Sequence, residues 1–219
     1  MSTRLKCGVV LLAAGKSDRM GRPKLLLPWG TSSMIGHQIH TWQLLGATQI
    51  TVVYAKTHQA LRDELGRLNF PEGNQILNPQ PELGMFSSIR CAAKWRGWIP
   101  GLTHWVVTLG DQPHLRLATL QALLRHTTAN PNQVCQPRWL DRLCHPVILP
   151  KKYFFQLQDS PANTLREFLR SLSPDISGCE IEDPGLDFDI DTPSDYERAL
   201  SVFLRACESG NDSRAPDSS

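Results

Sequence analysis

An uncharged apolar run, Val9-Val10-Leu11-Leu12-Ala13-Ala14, passes without a break into a basic loop punctuated by glycine, Gly15-Lys16-Ser17-Asp18-Arg19-Met20-Gly21-Arg22-Pro23-Lys24. A short apolar run bounded in this way reads as a buried strand. The loop sets four cations (Lys16, Arg19, Arg22, Lys24) against one acid, Asp18. Gly15 and Gly21 permit positive φ and close backbone approach, so main-chain N–H groups can surround an anion. The feature therefore predicts a phosphate site at the end of a buried strand, with a nucleoside triphosphate as its guest.

Two other phosphate loops are excluded by spacing. A Walker loop needs a glycine five residues before its lysine-preceding glycine, and Val10 stands there. The dinucleotide pattern G-x-G-x-x-G fails as well, because Ala13 and Ser17 flank Gly15 at the required distances. An ordinary NAD or FAD site is ruled out with it.

The run from Leu12 to Lys24 fits L-A-A/G-G-x-S-x-R-M-G-x-x-K at every fixed position, and so resembles the first loop of the molybdopterin-nucleotidyltransferase-like NTP transferases. The resemblance implies that Leu12, Ala13, Ala14 and Gly15 cradle the nucleotide while Arg19 and Lys24 act catalytically on its phosphates. Ala14, where a second glycine stands in the guanylyl-using branch, is similar to the cytidylyltransferase branch that works on molybdopterin.

Strand-like and helix-like segments alternate after this loop. Helices are predicted over Met34 to Leu45, with Ser32 or Ser33 as cap, and over Thr57 to Leu68, Ser87 to Trp95 and Leu117 to His126. Strands are predicted over Gln49 to Tyr54, Gln75 to Leu77, Thr103 to Leu109, Gln133 to Gln136 and Pro146 to Leu149, with a last one near Cys179. Helical pieces over Pro150 to Leu157 and Thr164 to Leu172 fall between the later strands. Such alternation implies right-handed crossovers and an α/β chain, three-layer α/β/α, with a mainly parallel twisted sheet. The resemblance makes this the Rossmann-like nucleotidyltransferase fold. Thr192-Pro193-Ser194-Asp195 marks the start of a final helix whose stripe of Tyr196, Ala199, Leu200, Phe203 and Leu204 packs on the core. A single nucleotidyltransferase domain over residues 1–207 is expected, followed by a disordered tail over 208–219 that has no large apolar side chain.

The formal net charge is only +2, which excludes the strongly basic field of a nucleic-acid binder. Six scattered cysteines form no C-x-x-C pair and no zinc spacing, so free thiols in a reducing cytoplasm are expected. No apolar run approaches the roughly 20 residues of a membrane helix.

Three further constellations carry chemistry. The strand ending in Leu109 is followed by Gly110-Asp111-Gln112-Pro113. In an open parallel sheet, ligands bind beyond the carboxyl ends of the strands, which brings Asp111 to the same edge as Gly15. Asp111 is then either a turn residue before Pro113 or an oxygen ligand for Mg²⁺, and its likeness to the family's G-D-x-P segment favours the ligand and a direct part in the reaction. Eight acids lie between Glu180 and Glu197 with no Lys or Arg until Arg198. Asp187, Asp189 and Asp191 are spaced by two and would share one face of an extended segment. The resemblance to the family's D-x-D-T-P-x-D-Y/L ending makes Asp189 the first choice and Asp191 the next for the second metal ligand. Gly84-Met85-Phe86-Ser87-Ser88-Ile89 is similar to a segment that supports base and ribose, implying contacts from Gly84 and Ser88. Either serine could instead cap the following helix.

Cys144-His145-Pro146-Val147 is similar to the family's G-H-P-V segment, which implies that His145 and Pro146 border the acceptor. Cys144 departs from that pattern, and Arg138 and Arg142 nearby could meet an anionic acceptor. Together these likenesses imply Mg²⁺-dependent transfer of a cytidylyl group from CTP to the phosphate of a molybdopterin-type acceptor. A molybdoenzyme or its maturation chaperone is the protein partner they imply, with no nucleic acid and no membrane. Another small phosphorylated acceptor, or a cofactor-binding and delivery protein without turnover, are the alternatives.

Overall fold

The computed structural model describes residues 5–211, apart from the side chains of residue 18 and residues 206–211. In chain order the elements are β1 (Cys7–Leu12), a short hairpin of β2 (Pro28–Trp29) and β3 (Ser32–Ser33), α1 (Met34–Leu44), β4 (Gln49–Ala55), α2 (Gln59–Arg67), β5 (Gln75–Asn78), α3 (Met85–Lys94), β6 (His104–Leu109), α4 (Leu117–Ala129), β7 (Val134–Trp139), β8 (Arg142–Leu143), β9 (Val147–Pro150), α5 (Lys151–Gln156), α6 (Leu165–Ser171), β10 (Ile176–Glu180) and α7 (Pro193–Asn211). The sheet runs β10-β7-β9-β6-β1-β4-β5, with β8 paired to β7.

Strands β6, β1, β4 and β5 are mutually parallel, as are β7 and β10. Strand β9 is antiparallel to β6 and β7. Too few residues separate β7 from β9 for a crossover helix, so the chain can only turn back on itself there. Val9 and Val10 in β1 are fully buried because their side chains enter opposite layers. Val9 and Leu11 join Ile35, Trp42, Leu65 and Leu123 beneath α1, α2 and α4. Val10 packs with Ile89, Ala92, Phe154 and Phe168 beneath α3, α5 and α6. The α/β class expected from the alternation is thus realised, and two antiparallel strands, β9 and the short β8, are added to it.

A smaller cluster decides where the functional segments lie. Met20, Leu27, Trp29, Met34, Ile190, Tyr196 and Ala199 form a core of their own, joining the loop after β1 to the start of α7. The Tyr196 hydroxyl donates to the Pro28 carbonyl at 2.6 Å. Helix α1 begins at Ser33, whose Oγ accepts from the Gly36 amide, which selects Ser33 from the two candidate caps. Helix α7 begins in a capping box: Thr192 Oγ1 accepts from the Asp195 amide at 3.2 Å, and Asp195 Oδ2 accepts from the Thr192 amide at 3.0 Å. That helix continues to Asn211, four residues into the stretch expected to be a disordered tail, and residues 212–219 lie outside the described residues.

Thr192→Ala removes one half of the box and is expected to destabilise the fold by about 1 kcal/mol. Equilibrium urea unfolding checks this, and an unchanged midpoint would contradict it.

Candidate active site

The carboxyl ends of β1 and β6 are in register, Leu12 beside Leu109, and the loops that follow them open one cleft of about 620 Å³. Gly110 makes this closeness possible. A Cβ there would lie 3.0 Å from the Leu12 carbonyl oxygen and 3.2 Å from Leu25, so a larger residue would push Asp111 away from β1. Leu12, Ala13, Ala14, Gly15, Arg19, Lys24, Gly84, Ser88, Asp111 and Asp191 all border the cleft. Residues up to 179 positions apart in sequence therefore meet at one edge of the sheet.

Lys24 is at the centre. Its ammonium lies 2.5 Å from Asp111 Oδ2 and 3.2 Å from Asp191 Oδ1, and it donates to the Ile190 carbonyl at 3.1 Å. Burial works to lower its pKa, but the charges and hydrogen bonds of Asp111 and Asp191 outweigh burial and hold it above its ordinary value. Arg19, 72% exposed, pairs with the other oxygen of Asp191 at 2.7 Å. One carboxylate thus bridges Arg19 and Lys24, two of the four cations of the loop. The buried Ile190 side chain, fixed among Trp29, Met34 and Tyr196, holds Asp191 in that position.

Asp189 lies beside the same group. Its Oδ1 accepts from Gln112 Nε2 at 3.3 Å. Its carboxyl is held above the usual range, first by partial burial and then by the charges of Asp111 and Asp191. Asp187 does not join them. It ends a 3₁₀ turn over Pro184–Asp187 and pairs with Arg142 at 2.5 Å, so the spacing of two holds for Asp189 and Asp191 and fails for Asp187, where the backbone is not extended.

The loop geometry differs from expectation at one glycine. Gly21 takes φ of 66°, but Gly15 does not enter the left-handed region, and Ser17 does at 55°. A Cβ on Gly15 would meet nothing within 4 Å, so its hydrogen faces the open cleft and leaves the backbone accessible there. Neither serine of the Gly84 segment caps α3 with its side chain. Ser87 Oγ donates to the Gly84 carbonyl at 2.7 Å, and the buried Ser88 Oγ accepts from Asn78 Nδ2 at 2.9 Å. Gly84 itself turns the chain at φ 83°.

In the segment expected to border an acceptor, His145 Nδ1 lies 3.4 Å from the Val107 carbonyl oxygen, and neither His145 nor Pro146 is among the residues lining the cleft. Burial pushes the His145 pKa below the ordinary value, against the pull of that carbonyl, Asp111 and Asp189, which places a neutral imidazole beside the acids. Pro146 is buried immediately before β9. Arg138 pairs with Glu180 at 3.3 Å, so both arginines expected to face an acceptor already hold protein carboxylates. Sequence reasoning missed Gln112, which carries no motif of its own, and His58, whose Nδ1 lies 3.1 Å from the Ala13 carbonyl oxygen. It also missed Pro81, Glu82 and Met85 on the cleft wall.

The chain matches the family model described as a MobA-like NTP transferase domain over residues 9–176. It is 34% identical over 126 residues to the bifunctional protein GlmU of Pseudomonas syringae pv. tomato, covering 55% of this chain and 25% of that protein. The chain thus spans about a quarter of the length of the GlmU proteins it matches. It is 27% identical over 197 residues to the molybdenum cofactor cytidylyltransferase of Escherichia coli K12, covering 89% of this chain and 95% of that one. Among solved structures, a nucleotidyl transferase from Methanothermobacter superposes with a TM-score of 0.74 at 22% identity, covering 92% of this chain and 99% of that one. Rv0371c of Mycobacterium tuberculosis, solved as a complex with manganese, gives 0.68 at 24%, covering 91% and 100%. These likenesses establish the fold.

A carboxyl whose folded-state pKa is raised stabilises the fold only below its unfolded value, and that contribution is lost as pH rises through the folded value. Above its folded-state value Asp189 is therefore an anion disfavoured first by burial and then by the charges of Asp111 and Asp191. Metal-free Asp189→Asn is expected to melt above the wild type at neutral pH, with the advantage vanishing below about pH 4. Melting curves across that range in chelator check the sign, and a variant less stable at neutral pH would refute it.

Proposed function

We propose that this chain, which belongs to the MobA-like NTP transferase family, is a nucleotidyltransferase that moves a cytidylyl group from CTP to the phosphate of a molybdopterin-type acceptor. The observation that carries the reading is Lys24 held between Asp111 and Asp191 at the mouth of the β1 loop. That arrangement sets a compact cation, two carboxylates and an open backbone cradle around a single point. In the proposed reaction an oxygen of the acceptor phosphate bonds to the α-phosphorus of CTP, the bond from that phosphorus to the bridging oxygen of the β-phosphate breaks, and pyrophosphate leaves. No covalent enzyme intermediate is required, and catalysis rests on positioning and charge neutralisation.

Asp111, Asp189 and Asp191 supply the hard oxygens a divalent cation takes, although among the described residues no three such side chains are already gathered as a metal site; partial burial first, and then the charges of Asp111 and Asp191, hold the Asp189 carboxyl above its usual range. Asp111 and Asp189, with Asp191 next, would hold Mg²⁺, which when bound supplies neutralisation of the negative charge on the reacting phosphates. Once their acids are engaged elsewhere, Arg19 and Lys24 are free for phosphate oxygens. The planar fork of Arg19 suits the β- and γ-phosphates, and the compact charge of Lys24 suits the α-phosphate. Gly15 leaves room for the triphosphate, Gly84 and Ser88 line the base and ribose side, and His145 and Pro146 border the acceptor.

Ala14 and the near full-length likeness to the Escherichia coli cytidylyltransferase support CTP and the molybdenum cofactor as substrates. Incubating the chain with Mg²⁺, molybdopterin and each nucleoside triphosphate in turn, while following pyrophosphate, tests the reading. Turnover only with another phosphorylated acceptor would replace the substrate and leave the reaction class standing.

Asp111→Asn keeps size and removes charge, so turnover is expected to fall at least about a hundredfold with the fold intact. Near-normal rates at saturating Mg²⁺ would exclude Asp111 as a ligand. The Ala14 methyl, at the edge of the cleft, is expected to admit a pyrimidine and crowd a purine, a discrimination on the order of 1–3 kcal/mol. Ala14→Gly should therefore relax the preference for CTP over GTP without abolishing activity. Comparing kcat/KM for the two nucleotides decides this, and a wild type that favours GTP overturns both the steric account and the cytidylyl assignment.

A further inference from the structure

We propose that Gln112 is a positioning residue for the reaction, fixing the Asp189 carboxylate in the orientation that a divalent cation requires; this rests on Asp189 being a metal ligand. Gln112 follows Asp111 directly and is only 3% exposed, so its side chain is confined. Its amide Nε2 donates to Asp189 Oδ1 at 3.3 Å, a contact across 77 residues that ties the loop after β6 to the segment leading into α7. Gln112 Oε1 is buried with no hydrogen-bond partner among the described residues.

A buried acceptor left without a donor is unfavourable. The amide has two orientations related by a flip. Turning Oε1 toward Asp189 would set two acceptors against each other, which only a protonated Asp189 could satisfy. The orientation present offers Asp189 a donor and leaves Oε1 without a protein partner. The side chain therefore acts on Asp189 by directing its carboxyl oxygen.

Asp189 needs this support more than its neighbours do. Asp111 is held by Lys24, and Asp191 by both Lys24 and Arg19. No salt bridge to Asp189 is found among the described residues, and the two acids beside it repel it. An amide N–H is a donor that directs a carboxylate without occupying the place of a cation. A lysine in the same position would direct it and compete. Groups that orient a metal ligand from behind commonly set metal affinity and activity by roughly 10- to 100-fold.

The test compares wild type, Gln112→Met, Asp189→Asn and the double variant. Mn²⁺ binding in the presence of CTP is read from the electron paramagnetic resonance signal of free Mn²⁺, and pyrophosphate release is titrated with Mg²⁺. Methionine keeps the length and apolar stem of glutamine and lacks the donor. Gln112→Met is expected to weaken Mn²⁺ binding roughly tenfold or more and to raise the Mg²⁺ needed for half-maximal rate. In the Asp189→Asn background the same substitution should add nothing, because the carboxylate it acts through is gone. A purely structural role for Gln112 would add its effect in both backgrounds and would overturn the inference, as would wild-type Mn²⁺ affinity in Gln112→Met. If Asp189→Asn binds Mn²⁺ as the wild type does, the ligand reading fails first and takes the inference with it. Gln112→Asn, which keeps the amide one methylene short of Asp189, gives the same test should the methionine variant fail to fold, and wild-type Mn²⁺ binding there counts against the inference.

Discussion

The ammonium of Lys24 between Asp111 and Asp191 is the interaction on which the arrangement of the site depends. It joins three segments that chain connectivity does not hold together: the loop after β1, the loop after β6 and the approach to α7. With Asp189 beside them, these carboxylates would repel one another at any effective dielectric constant. In the absence of a bound cation the chain supplies its own from Lys24, with Arg19 contributing on the solvent side. The exchange proposed for catalysis is thus between charges of the same sign at the same acids. Ligands entering the cleft need not bring carboxylates together, because an internal pair already does so.

That pairing is exact only because apolar packing sets it. Ile190, with an acid on either side, is fully buried against Trp29, Met34 and Tyr196, which leaves Asp191 on the cleft wall and Asp189 against Gln112. The capping box of α7 fixes the backbone on one side of this segment, and the Lys24 hydrogen bond to the Ile190 carbonyl fixes it from the other. The segment most removed in sequence from the phosphate loop is as well anchored as the loop itself. Metal and phosphate chemistry are sensitive to displacements well below the size of a side chain, and a small hydrophobic core provides that accuracy where loops alone would not.

Much of the donor half was legible in sequence because its constraints are local. The apolar run of β1, the glycines, the basic positions and the strand ending before Asp111 each follow from residue type and spacing, and parallel topology brings them to one edge. What sequence could not show were pairings chosen in three dimensions. Arg142 and Asp187 lie 45 positions apart, and nothing local marks them as partners. Gln112 and Asp189 are further apart still. The 3₁₀ turn over Pro184–Asp187 breaks the period-two pattern at the residue where it had been extrapolated. The positive φ at Ser17 in place of Gly15 shows that a flexible residue licenses a conformation without dictating it.

The two halves of the site also differ in how they are built. The donor half is framed by carboxyl ends of parallel strands and by the start of α3, elements whose positions the sheet determines. The acceptor half lies where β9 runs antiparallel and β8 forms a brief excursion, and its arginines are committed to Glu180 and Asp187. Arg142 is 63% exposed on the short β8, so its ion pair contributes little to stability and can be exchanged at small cost; Arg138 sits in β7, inside the sheet, and is 38% exposed. An anionic acceptor would compete for guanidinium groups that the protein already holds in place by its own carboxylates. In the proposed reaction the same device would operate on both sides: protein acids hold the cations, and anionic ligands of greater charge would displace them. Rigidity is concentrated where a triphosphate must be aligned, and exchangeable contacts where the acceptor enters. Nucleotide chemistry is therefore the more strongly encoded property of this chain, and the acceptor wall is the part most open to change by substitution.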